Sequence, residues 1–376
     1  MGKRVWLLLV VIVLGYGATM AMGYKGEKPK SACNKTDAGE MRVVKSHGRR
    51  IFEKLLHIGF IKIEPQTLFL PLYLDSNLIL FVNTGQATVG LIYKDHMVER
   101  ELKNGDVYQI PAGSTFCILN TEESQRLHII CSIDPSESLN IVLAGFGSET
   151  LLTAFNVSVS KVSEEKEWSW WKLLPKIFGI QDSNKKHKAL KSYNIYKKSP
   201  DIKNNYGWRT EVDGSKYKPL KDIEIGIFLV NLRAVINLNQ FTKAVEYNVV
   251  LRGRGRVQVV YPNGTLAMDT YVKESDMFWV PRYFIFSQIA SKLEPFEFLG
   301  FTTSLHKNRP QFLVGATFFL HTLNNLELAD VFGVIKKRIR CLINAQRESI
   351  ILPSSSSIND DYKKKKGVYI LKQSKR

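Results

Sequence analysis

The feature that most constrains this 376-residue chain is an internal duplication. Leu78–Ile118 reads LILFVNTGQATVGLIYKDHMVERELKNGDVYQIPAGSTFCI, and Glu246–Ala290 reads EYNVVLRGRGRVQVVYPNGTLAMDTYVKESDMFWVPRYFIFSQIA. Gly85 aligns with Gly253 at an offset of 168 residues, while Asp106, Pro111 and Phe116 align with Asp276, Pro281 and Phe286 at 170. One two-residue insertion in a hairpin reconciles the two offsets. A repeat of this period implies two similar domains rather than a solenoid. Within the second copy, the β-rich runs Tyr247–Leu251, Arg256–Tyr261 and Phe284–Ile289 are separated by turn punctuation. Gly253 and Gly255 bracket a tight connection. Asn263-Gly264 predicts a two-residue hairpin loop with positive φ at both central positions. Strands this short, joined this tightly, predict a small antiparallel barrel or sandwich. The expected fold is mainly β, with one barrel per copy.

The order of these parts narrows the family. An apolar strand, a G-x-G turn, a hairpin, then GDVYQIPAG or SDMFWVPRY and a closing strand resembles the cupin superfamily. The flanking phrases FIKIEPQTLFLP, GIFLVNL, FEFLGFTTS, KNRPQFLVGA and INAQRESIILP resemble vicilin-type (7S globulin) plant seed storage proteins of the bicupin branch. The resemblance runs from about Arg42 to Pro353. It implies two jelly-roll barrels, each followed by α-helical extensions, and a trimer held through those extensions.

Around the repeat, the chain divides as follows. Residues 1–23 carry Lys3 and Arg4, the apolar run Val5–Leu14 and small residues up to Ala21-Met22-Gly23. This is the pattern of a cleaved secretory signal peptide, with an uncleaved anchor as the alternative. Residues 24–41 read as a mobile arm, 42–180 as the first barrel plus helices and 181–222 as a linker. Residues 223–353 read as the second barrel plus helices, and the low-complexity 354–376 as a basic disordered tail. The helices are expected around Leu151–Phe155, around Trp168–Trp171, whose three tryptophans suit an interface, and over Thr322–Glu348. A secretory destination, either a protein storage vacuole or the cell exterior, gives meaning to three glycosylation sequons at Asn34, Asn156 and Asn263.

A formal charge of +18 could serve nucleic acid, acidic polysaccharide or membrane. The basic residues are scattered rather than striped with aromatics, so no nucleic-acid partner is expected. Four cysteines are too few for a disulfide scaffold. Cys117 and Cys131 fall in consecutive predicted strands, where a cross-strand disulfide and two buried thiols are both open readings.

Candidate chemistry centres on what the resemblance implies. Enzymatic cupins hold a divalent metal with histidines and one glutamate. In the second copy the glutamate position is Glu246, while the other ligand positions are Asn239, Phe241 and Phe286. In the first copy the matching residues are Leu78, Pro71, Tyr73 and Phe116. The seven histidines show no His-x-His and no helical pair, and there is no G-x-S-x-G. The expectation is therefore no cofactor, no metal and no catalytic residue. The two phenylalanines should fill the second barrel beside Glu246, with Asn239 or Tyr247 as its hydrogen-bond partner.

Three functions follow from the resemblance. The first is a nutrient-reservoir protein of vicilin type. The second is a vicilin-like protein taking a weakly held sugar or anionic ligand in a barrel mouth, and the third a germin-like metal oxidase. The missing histidines weigh against the third. The absence of long Glu/Arg/Gln-rich segments sets this chain apart from typical vicilins.

Overall fold

Alternation of apolar and polar residues with period two sends successive side chains to opposite faces of a strand, so a strand can close one side of a core. The computed structural model describes residues 31–36, 39–44, 56–74, 76–93, 96–133, 139–140, 191–233, 235–236, 239–240, 244–291, 294–303, 311–312, 333, 335–343, 348 and 350–353. They form two compact units, which divide between Lys197 and Lys198.

The first unit contains β1 (Ser31–Thr36), β2 (Gly39–Val44), β3 (His57–Ile63), β4 (Leu68–Leu74), β5 (Leu78–Thr84) and β6 (Gln86–Tyr93). It continues with β7 (His96–Lys103), β8 (Asp106–Ile110), β9 (Ser114–Asn120), β10 (Leu127–Ile133), β11 (Leu139–Asn140) and β12 (Tyr193–Asn194). One sheet runs β1-β2-β3-β10-β5-β8-β12 and the other β11-β4-β9-β6-β7. Ile61, Leu78, Leu80 and Ile129 from the first sheet meet Val89, Leu91, Phe116 and Ile118 from the second in one buried core.

The second unit repeats the plan with β13 (Ile202–Asn204), β14 (Gly207–Val212), β15 (Gly226–Leu232), β16 (Val235–Ile236), β17 (Asn239–Gln240) and β18 (Glu246–Arg252). β19 (Arg254–Val260), β20 (Leu266–Lys273), β21 (Met277–Val280), β22 (Ile285–Ala290), β23 (Phe296–Thr302), β24 (Gln311–Phe312) and β25 (Ile351–Leu352) complete it. One sheet runs β13-β14-β15-β23-β18-β21, and the other is built on β20-β19-β22-β16-β25. The order β2-β3-β10-β5-β8 is thus reproduced as β14-β15-β23-β18-β21.

The turns repeat as well. Gly85 and Gly253 both take positive φ, +89° and +76°. Asp106 and Asp276 each accept the backbone N–H of the residue three before, Lys103 and Lys273, at 3.0 Å through Oδ2. The left-handed residues Gly105 and Gly113 recur as Ser275 and Tyr283, both at φ +69°.

Several expectations change. Part of the supposed mobile arm is strand: β1 pairs with β2 from Ser31↔Val44 to Thr36↔Gly39. The supposed linker carries β12, which pairs with β8, and β13 and β14, which open the second barrel's first sheet. That barrel therefore begins near Ile202 rather than Ile223. The Asn263-Gly264 loop is not a two-residue turn. The turn instead spans Tyr261–Gly264 with Pro262 and Asn263 at its centre, and a proline with φ fixed negative at the first central position excludes the mirror-image form there. The Gly264 N–H donates to the Tyr261 carbonyl at 2.9 Å, and only Gly264, at +86°, is left-handed. Cys117 and Cys131 are free and buried. They lie in β9 and β10, which belong to different sheets, and burial pushes their thiols up to about 11 and about 12. Of the expected helices, one, α1 (Lys336–Ile343), lies among the described residues, inside the predicted span Thr322–Glu348. Residues 1–23, the Trp168–Trp171 segment, Leu151–Phe155, Asn156 and 354–376 lie outside the described residues.

Candidate functional site

The interior of the second barrel gathers several buried polar side chains, a carboxylate among them. On β18, Val250 belongs to the core cluster, so Glu246 and Asn248, at the same parity, face inward with it. Their neighbours follow from the strand register. Glu246 sits opposite Thr302 on β23 and Val280 on β21, and Asn248 opposite Gly300 and Phe278. Across β15, Phe228 pairs with both Gly300 and Glu211, and Val230 with Arg209. From the other sheet, Phe286 and Gln288 on β22 face the same space, beside Val259 and Val257.

These groups are largely out of water. Glu246, Asn248, Gln288 and Thr302 are all 3% exposed or less, and Arg209 is 6% exposed. The Arg209 guanidinium donates through Nε to Glu211 Oε1 at 2.7 Å and lies 4.3 Å over the Phe228 ring. Neither oxygen of Glu246, neither polar atom of the Asn248 side chain, and not Thr302 Oγ1 or Gln288 Oε1, has a well-formed protein hydrogen bond. Burial pushes the Glu246 carboxyl up to about 7. Arg209 draws it down, Glu211 pushes it up, and the nearby Asn248 amide lowers it slightly without closing a properly shaped bond.

Sequence reasoning found Glu246 and Phe286 but not their company. Phe286 does fill the interior, at 1% exposed. Tyr247 faces away from Glu246, on the opposite parity of β18, so it is not the expected partner. Asn239 pairs through the backbone with Phe286 and Phe312. The residues that act on Glu246 are instead Arg209, Glu211 and Asn248. Phe241 lies outside the described residues. In the first barrel, Leu78 and Phe116 are core residues, and Pro71 and Tyr73 lie on β4. Of the sequons, Asn34 lies on β1, while Asn263 sits on an exposed hairpin tip, where its Oδ1 accepts the Thr265 hydroxyl at 2.7 Å. A separate groove of about 760 Å³ on the first barrel is lined by Glu99, Arg100, Glu101, Lys103 and Lys197 among others, a mixture of signs that selects no one ligand class.

A cupin family model matches residues 26–163 and 193–340, one match per barrel. A vicilin-like seed storage protein of Arabidopsis thaliana is 43% identical over 402 residues, covering 86% of this chain and 79% of its own. The chain belongs to the cupin family, in its vicilin-like branch. A second vicilin-like seed storage protein of the same plant is 30% identical, and this chain spans half of its length. Hazelnut vicilin, from Corylus avellana, superposes with a TM-score of 0.71 at 19% identity, across 89% of this chain and 99% of that one. Procruciferin, the 11S globulin of Brassica napus, superposes with a TM-score of 0.71 at 17% identity. At those identities the solved structures speak for the fold.

Membership in the cupins raises the question of a metal, and the donors do not fit one. A divalent ion needs several imidazoles or carboxylates converging on one point. In this vicilin-like chain the β22 position that would have to supply an imidazole is Phe286, which faces the same interior as Glu246. No group of three His, Cys, Asp or Glu side chains is placed to hold an ion among the described residues.

Proposed function

We infer that this chain is a seed storage protein of vicilin type, a nutrient reservoir whose function is accumulation and later hydrolysis. The observation that carries the reading is 43% identity to a vicilin-like seed storage protein across most of both chains. Two cupin matches, one on each barrel, accompany it. The reading requires no catalytic group, and it assigns none. The interior of the second barrel contributes a carboxyl without a partner base and an arginine already tied to Glu211.

The finer parts of the proposal follow from the sequence. The leader of residues 1–23 takes the chain into the secretory pathway, with a storage vacuole or the cell exterior as destination, and Asn263 is the best-presented glycan acceptor. The chain assembles as a homotrimer through the helical extensions, because apolar helical faces outside a barrel require a partner to bury them. Targeted mass spectrometry of seed tissue tests the reservoir role. The intact chain should accumulate through seed filling and fall after germination; a low, constant level across both stages contradicts it.

A second reading gains support from Arg209. A small anion or sugar held in the second barrel would find a guanidinium, two amides and a hydroxyl there. The vicilin of Solanum melongena, a structural neighbour with a TM-score of 0.67 at 18% identity, is described as having anionic ligands in structurally similar pockets. Titration calorimetry with acetate and sucrose separates this reading: saturable heat lost in Arg209→Met supports it, and no heat rejects it.

A further inference from the structure

The interior around Glu246 balances its charge in only one protonation state. β14 contributes Arg209 and Glu211, which neutralise each other across 2.7 Å. β15 contributes Gly226 and Phe228, β23 Gly300 and Thr302, β21 Phe278 and Val280, and the facing β22 Phe286 and Gln288. Among the described residues facing this space, only Arg209 and Glu211 therefore join Glu246 in carrying a titratable or charged group. A protonated Glu246 leaves the cluster neutral. An ionised one adds a negative charge at 1% exposure without a well-formed protein hydrogen bond, beside an Arg209 already paired with Glu211. The matching place in the first barrel is Leu78, also buried and without charge in any condition.

We propose that Glu246 is a proton-operated latch on the second barrel: protonated, it lets the barrel pack tightly, and ionised, it loosens the β14-β15-β23-β18 sheet while leaving the first barrel unaffected. The inference concerns the barrel itself and stands whether or not the chain is a reservoir. Its sign follows from linkage. Burial raises the folded-state carboxyl above its ordinary value of 4.5 to about 7. The stabilisation is then fully present below 4.5, where the carboxyl is protonated in both states, and is lost as pH rises through about 7. The loss amounts to on the order of a hundredfold in the equilibrium between closed and open forms of that barrel. Acid locks it and neutral pH releases it. For a stored chain, this would make the second barrel the pH-dependent point of entry for proteases.

The test is hydrogen–deuterium exchange with mass spectrometry on the full chain from pH 5 to 9, with exchange times scaled for the intrinsic rate. Peptides from β14, β15, β18 and β23 should lose most of that roughly hundredfold protection between pH 5 and pH 7 and level off above 7. Peptides from β3, β5 and β10 should change little. Glu246→Gln, which keeps the shape without the charge, should flatten the second-barrel response. Infrared titration of the wild-type chain needs no variant, so it decides the matter even where E246Q folds poorly. A protonated-carboxyl band should persist at pH 6 and disappear with a midpoint near 7. Equal pH responses in both barrels, a response that survives in E246Q, or no carboxyl band above pH 6 would each overturn the latch.

Discussion

Set side by side through their strand registers, the two barrels keep one frame and exchange their contents. Arg209, Glu211, Glu246, Asn248, Gln288 and Thr302 face into the second barrel. The positions that correspond in the first are Met41, Val43, Leu78, Leu80, Ile118 and Ile133. Every one of the six polar residues is replaced by an aliphatic side chain. A second exchange concerns size. Gly59 faces Cys131 in the first barrel, whereas Phe228 faces Gly300 in the second. A Cβ on Gly59 would come 2.5 Å from Cys131 Sγ, and one on Gly300 would come 2.0 Å from the Phe228 ring. Each barrel thus puts its larger side chain on the strand where the other has glycine. The lesson is that turns and backbone registers define this fold, while the interior is free to change in polarity and in the direction of its packing, provided the volume is filled.

The largest expected effect comes from emptying the second barrel's larger partner. Phe228→Ala removes a fully buried ring that also carries the Arg209 guanidinium, and should cost about 3–5 kcal/mol. Chemical denaturation would read it as an earlier second-barrel transition. Adding Gly300→Cys, to imitate the first barrel's pair, should recover part of the loss. A double variant no better than the single one breaks the volume-exchange argument.

Next is Glu246→Leu, which copies Leu78. Above pH 7 the native carboxyl is ionised in the folded chain, so the substitution removes a buried charge and should stabilise the second barrel by about 2–4 kcal/mol. Below pH 4.5 the acid is neutral in both states, and the gain should shrink towards the packing contribution alone. Calorimetric melts at pH 4 and pH 8 check both magnitude and sign.

Smaller again is the contrast between the paired turn glycines. Both Gly85 and Gly253 have positive φ, so alanine at either should cost about 1 kcal/mol from the backbone. At Gly253 the new Cβ would also meet the Pro295 carbonyl oxygen at 1.9 Å, while at Gly85 the nearest atom is Leu127 Cα at 3.2 Å. Gly253→Ala should therefore lose about 1–2 kcal/mol more than Gly85→Ala. Equal losses would show that the second turn can shift to make room.

The frame was legible in the sequence because turns depend on a few residues of special geometry. The Gly85/Gly253 and Asp106/Asp276 pairs survive duplication, and each does the same work in both copies. The hairpin turn lies one residue before the Asn263-Gly264 pair because Pro262, with its fixed negative φ, takes the first central position. Ser275 and Tyr283 show the reverse case: their left-handed φ is visible in the sequence only through Gly105 and Gly113 in the first copy. The polar interior was half legible. Glu246 stood out by its place in the repeat, but Arg209 and Glu211 fall in a stretch of glycine, proline and lysine that reads as linker. Extending the 168-residue offset upstream would have aligned them with Met41 and Val43 and exposed β14 as the copy of β2. Asn248 and Thr302 were hidden for a different reason: a polar residue in a strand gives no sign of which face it occupies until the register is known.

The central claim, one frame with opposite interiors, is tested most directly by a crystal structure at a resolution that shows ordered water. Buried polar atoms without protein partners recruit water, while apolar cavities stay dry. The two barrels should superpose over Leu78–Ile118 and Glu246–Gln288. Ordered water should bridge Glu246, Asn248 and Thr302, with none among Leu78, Leu80 and Ile133. Barrels that fail to superpose, or a second barrel as dry as the first around those three residues, would contradict it.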